Sequence, residues 1–133
     1  MDYLMDTNVI IGYLHKNQKI QSNMGQAYYG GNKLLLSDII AYEMSRGFII
    51  SPNSQKEAVY SFFLKNCQMV LTNPTILKRA AEIYADLHKK RLLIGELDII
   101  IAAQCLEHGC TLVTNNIKHF SRVDGLPLAD WTK

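Results

Sequence analysis

No apolar run in this chain of 133 residues approaches the roughly 20 residues that a membrane-crossing helix needs, so no membrane partner is expected. The N-terminus has neither a basic leader nor a small-residue cleavage pattern, and the expectation is an unprocessed, cytoplasmic chain. Cysteine is scarce: Cys67, Cys105 and Cys110 form no metal-ligand spacing and cannot all pair, so they read as reduced core residues. A strong charge bias is also missing. A formal net charge of +2 permits a nucleic-acid partner without demanding one, so evidence for one must come from local patterning. Linkers, repeats and low-complexity stretches are absent, which predicts a single domain over residues 1–133. With 48% hydrophobic and 20% charged residues, disorder is excluded.

What is present is an alternation of short and long apolar segments. Strand-like pieces at Tyr3–Met5, Lys33–Leu36, Gln68–Leu71 and Thr111–Thr114 are separated by longer helix-like pieces. This pattern predicts an α/β fold, with a mostly parallel central sheet covered by helices on both faces. The clearest helix begins near Pro74, where proline is tolerated, and carries Leu77, Ala80, Ala81, Ile83, Tyr84 and Leu87 as an apolar stripe. In such sheets ligands collect beyond the carboxyl ends of the strands. Asp6, the pair Ser37 and Asp38, and the run Thr114, Asn115 and Asn116 each follow a predicted strand.

Three acids stand where apolar residues are expected. Asp6 sits between a strand and the segment "VIIGYL"; capping of the following helix explains one polar residue there, but not a recurrence elsewhere. Glu43 falls inside the stripe of Ile40, Met44, Gly47 and Phe48, with a surface pair to Arg46 as the alternative. Asp98 lies in the first turn of "ELDIIIAAQCLEH", a helix apolar on all sides, where the helix dipole also favours a carboxylate. Glu96 precedes it and reads as the cap or rim residue. Gathered at one sheet edge, Asp6, Glu43 and Asp98 would repel, and either a shared proton or a divalent cation would relieve them. With oxygen donors and no histidine at ligand spacing, Mg²⁺ or Mn²⁺ is the favoured solution.

"LMDTNVII", "SDIIAYEMSRG" and "GELDIIIAAQCLEHGCTLVTNNIKHFSRVDGLPLADW", in that order, resemble a PIN-domain ribonuclease, specifically the VapC toxin branch of toxin–antitoxin pairs. The resemblance spans nearly the whole chain. It implies a PIN-like three-layer α/β/α sandwich and a metal-dependent endoribonuclease with Asp6, Glu43 and Asp98 as catalytic acids. Asp6, Asp98 and Asn116 would ligate the metal; many PIN domains carry a fourth acid near Asn116. Asn8, Thr114 and Asn115 would be secondary site residues, although turn formation and helix capping explain Asn8 and Asn115 nearly as well. The resemblance further implies a homodimer and a small antitoxin protein whose segment lies in a groove near the acids. The segment from Gln18 to Lys33 and the helix from Ile40 to Phe48 are the candidates for that groove.

An RNA substrate, with a tRNA the leading expectation, also needs cations beside the acids. Lys89, Lys90 and Arg91 end the long helix, where they also complement its dipole, and Arg46 and Lys118 extend the patch; His119 reads as a surface residue. Two rival readings exist. A haloacid-dehalogenase-like phosphohydrolase would need a second aspartate two residues after Asp6, where this chain has Asn8. A non-catalytic metal-binding regulatory domain would use the same acids without cutting RNA.

Overall fold

The computed structural model describes residues 1–133. The central strands form because their side chains can be buried on both faces at once: Leu4 and Met5, Leu34 to Leu36, and Leu112 and Val113 are all buried. They belong to β1 (Asp2–Met5), β2 (Lys33–Ser37) and β4 (Thr111–Val113), with β3 (Gln68–Val70) beside β2 and β5 (Leu128–Ala129) beside β4. The sheet order is β3-β2-β1-β4-β5, and every pairing is parallel. The four predicted strands are thus present to within one residue at either end. The fifth, β5, is only two residues long and was not predicted, because so short a segment has no periodicity to read.

The helices are α1 (Thr7–Leu14), α2 (Gln18–Tyr29), α3 (Asp38–Ile50), α4 (Ser54–Asn66), α5 (Pro74–Lys90), α6 (Glu96–His108) and α7 (Ile117–Phe120). Right-handed crossovers put α1 to α4 on one face, and the reversal after β3 puts α5 and α6 on the other. The caps of five helices are legible: Asp6, Asn17, Ser37, Asn53 and Asn73 each accept a backbone N–H of the helix they start. Pro74 opens α5 as predicted. At the other end of α6, Gly109 adopts φ +62°, the left-handed conformation that stops a helix and costs glycine least. No helix is long and apolar enough to cross a membrane.

Two expectations are corrected. The α5 stripe divides: Ile76, Ala80, Ile83 and Leu87 are buried, whereas Leu77, Ala81 and Tyr84 face solvent on a second stripe. Both sets satisfy the same helical period, and only the position of α6 decides which is covered. Of the cysteines, Cys105 and Cys110 are fully buried, but Cys67 is half-buried; all three are free thiols, and burial pushes that of Cys67 up to about 11.

One buried polar network runs through this apolar interior. Gln104 of α6, 0% exposed, accepts from the Ser37 hydroxyl and donates to Asp38 at 2.7 Å and to Thr72 at 3.1 Å. Asp38 also accepts from the Thr72 backbone N–H and hydroxyl, at 2.8 and 3.0 Å. Every member is satisfied, so the network braces α6 against the β2–α3 junction and the start of α5. Gln104→Leu, which leaves Ser37 and Asp38 short of a partner, is expected to lose about 1–3 kcal/mol in urea denaturation. Gln104→Glu, which sets a carboxylate against Asp38, is expected to lose more at pH 7 than at pH 4.

Candidate active site

The reversal of strand order places β1 between two crossovers of opposite sense, and Asp6 is the first residue beyond its carboxyl end. Register pairs Met5 with Val113, so the residues that follow each strand, Asp6 and Thr114, face each other across the β1–β4 seam. The Asp6 backbone N–H donates to the Val113 carbonyl at 2.9 Å, and the Thr114 hydroxyl donates to Asp6 Oδ2 at 2.8 Å. Asp6 Oδ1 accepts from the Thr7 backbone N–H at 2.8 Å. The carboxylate is therefore only 6% exposed and held at both oxygens. Burial raises its pKa, and the two hydrogen bonds oppose that rise.

Glu43 is half-buried in the middle of α3, where its Oε1 accepts from the Thr7 hydroxyl at 3.2 Å. No ion pair joins it to Arg46; that guanidinium lies over the Tyr42 ring, 5.2 Å from its centroid. Asp98 stands in the first turn of α6, which has no side-chain cap, and Glu96 is exposed without capping it. The Asp98 carboxyl is pushed up chiefly by burial, then by the nearby charges of Asp6 and Glu43, and is eased by His119. Thus the three predicted acids, from the β1–α1 junction, α3 and α6, share one electrostatic environment. Their side chains do not converge into a formed cage of three metal-ligating groups.

The remaining predicted residues divide. Thr114 is fully buried and bridges Asp6 to Asn116, whose backbone N–H it accepts at 2.9 Å. The Asn116 side-chain amide engages His119 Nδ1 at 2.9 Å and no acid. Asn8 and Asn115 are exposed and make no side-chain hydrogen bond. Lys89 and Lys118 are exposed, Arg91 ends α5 at φ +57°, and Lys90 is committed to Asp86 at 3.0 Å and Asp124 at 3.2 Å.

A PIN-domain family model matches residues 3–126. The chain belongs to the PIN-domain family. Within it, the chain is 30% identical to ribonuclease VapC2 of Rickettsia felis over the full length of both, and 31% identical to ribonuclease VapC2 of Haemophilus influenzae over 98% of each. Its fold superposes with a TM-score of 0.90 on a chain of VapBC2 from Rickettsia felis bound to a promoter DNA fragment, at 28% identity and covering 98% of this chain and 99% of that one. VapBC-1 from nontypeable Haemophilus influenzae gives a TM-score of 0.86 at 31% identity over the whole of both chains. The chain is accordingly a PIN domain of the VapC ribonuclease branch, and the resemblance read from the sequence holds.

The donor chemistry of this PIN domain fits a hard divalent cation. Asp6, Glu43 and Asp98 offer oxygen donors only, and no lysine or arginine forms an ion pair with any of them. Two contributors escaped the sequence reading. Thr7, which touches Glu43, looks from sequence like one more capping residue. His119, which acts on Asp98 and bonds Asn116, looks like an exposed helix residue.

The raised pKa values of Asp6 and Asp98 fix the sign of a pH effect. Each carboxyl holds its proton more tightly folded than unfolded, so its contribution to stability is present below the unfolded value near 3.9 and is lost as pH rises through the raised folded value. In EDTA, Asp98→Asn is therefore expected to raise the thermal midpoint at pH 7, with the gain shrinking toward pH 4. Thermal denaturation across that range checks this.

Proposed function

We propose that this chain is the toxin of a toxin–antitoxin pair: an endoribonuclease, acting as one catalytic unit in the cytoplasm, that hydrolyses a phosphodiester bond of a tRNA with Mg²⁺ or Mn²⁺. The observation that carries the reading is that Asp6 and Glu43 stand near enough to Asp98, at the strand-order reversal, to raise its pKa, while no lysine or arginine forms an ion pair with any of the three. A divalent ion held there would stabilise the charge that builds on the phosphate oxygens and lower the pKa of a bound water. Asp6, held by Thr114 and Thr7, supplies a rigid ligand; Asp98 supplies the second. Glu43, steadied by the Thr7 hydroxyl, orients the attacking water or completes the ligand set. Asn116 lies beside this set and would add its amide oxygen. None of these side chains forms a bond to the substrate.

The relatives' names support the ribonuclease reading, and the VapBC complexes among the similar structures support a small antitoxin partner. A homodimer is supported by the exposed stripe of Leu77, Ala81 and Tyr84 on α5, which a second copy would cover.

Purified protein, freed of any copurified antitoxin, is expected to cut a total tRNA pool into discrete fragments with Mg²⁺ or Mn²⁺. Fragments should vanish with EDTA and fall by about 100-fold or more in Asp6→Asn and Asp98→Asn. Metal binding without cleavage would favour the regulatory alternative instead.

A further inference from the structure

Beside the acids lies a groove of about 340 Å³ that the assignment of the catalytic residues does not use. It starts at Thr7 and Glu43, crosses an apolar floor of Met44 and Phe48, and ends at His15 and Lys56. A second depression of about 200 Å³ shares His15 and Lys56 and extends the path to Lys16. One continuous surface therefore runs from Glu43, over apolar side chains, to a cationic end.

Two residues lining it are out of place for the helices that carry them. Gly47 is in the interior of α3, one turn beyond Glu43, and a Cβ built there would meet nothing within 4 Å. Glycine at such a position costs a helix roughly 1 kcal/mol relative to alanine, and no close packing inside the chain requires it. What its bareness leaves is open groove wall beside the acid. Lys56 is in the first turn of α4, where a cation faces the positive end of the helix dipole. It pairs with no carboxylate; its Nζ lies 3.1 Å from His15 Nε2, which leaves further ammonium hydrogens free. Of the cations predicted as the phosphate patch, Lys90 is doubly paired, whereas Lys89 and Lys118 are exposed and form no ion pair.

Resting on the ribonuclease reading above, we propose that this groove holds the single-stranded segment of the RNA substrate that flanks the scissile phosphate. A base lies on Phe48 and Met44 across the bare Gly47, and the neighbouring phosphate is bound by Lys56. The order of features matches the ligand: flat apolar bases need an apolar or aromatic floor, and the phosphate backbone needs an unpaired cation. A protein segment seated there is the competing occupant.

Wild type, Gly47→Leu and Lys56→Glu are compared in two assays: fluorescence anisotropy with a fluorescein-labelled single-stranded 12-nucleotide RNA in EDTA, and Michaelis kinetics on a total tRNA pool. Both variants are expected to weaken oligonucleotide binding and raise KM by about 10-fold, with kcat within about 2-fold of wild type. Lys56→Glu should also reduce the salt slope by at least about 1. Thermal midpoints should be unchanged, or higher for Gly47→Leu. If wild type cleaves and both variants match it in KM and binding, the groove assignment is overturned while the ribonuclease reading stands. The same holds if the variants alter only inhibition by an antitoxin. If wild type neither binds nor cleaves RNA, both readings fall.

Discussion

The hydrogen bond from Thr114 to Asp6 is the contact on which the candidate site depends. It joins the first residues beyond two adjacent parallel strands, so the position of the carboxylate is set by sheet register rather than by a loop. A slip of one residue would break both the Asp6 N–H to Val113 carbonyl bond and the Thr114 hydroxyl bond to Asp6 and draw the carboxylate among buried apolar residues, so the register is held. Thr7 then extends this fixed point in two directions: its backbone binds Asp6 and its hydroxyl binds Glu43. Asp6 and Glu43 are thereby both referred to one seam of the sheet.

Holding charge in such a place works against stability. Asp6 and Asp98 both have their pKa raised by burial, and Asp98 is raised further by the other two acids. Substituting neutral side chains would relieve that conflict, which is the usual relation between a site built for function and the fold that carries it. The uncapped start of α6 follows the same logic: Asp98 occupies its first turn without being used as a cap. At the same carboxyl edge of the sheet, the buried Gln104 network joins α6 to the residues that follow β2 and β3. It ties the helix bearing Asp98 to the strand–helix junction that leads to Glu43.

The parallel sheet, its four longer strands and the start of α5 were legible because each depends on local periodicity and on residues with strong backbone preferences. The three acids were legible for a related reason, since a carboxylate inside an apolar pattern stands out against its neighbours. Gln104 was not: a single glutamine in "IIIAAQCLEH" carries no sign that its amide meets Ser37, Asp38 and Thr72, which are at least 32 residues away in sequence. Lys56 and Gly47 were equally hidden: Lys56 belongs to no pattern, Gly47 read as one more member of the α3 stripe, and each lines a groove formed by separate helices.

The sequence by itself determined the alternation of elements, the family, and which acids are candidates, since these follow from residue type and spacing along one segment. Tertiary structure alone decided which side of α5 is covered, which cations are already paired, and which polar residues support the acids. Those outcomes depend on distances between segments far apart in the chain, and such distances exist only once the sheet has set its register and the helices have packed upon it.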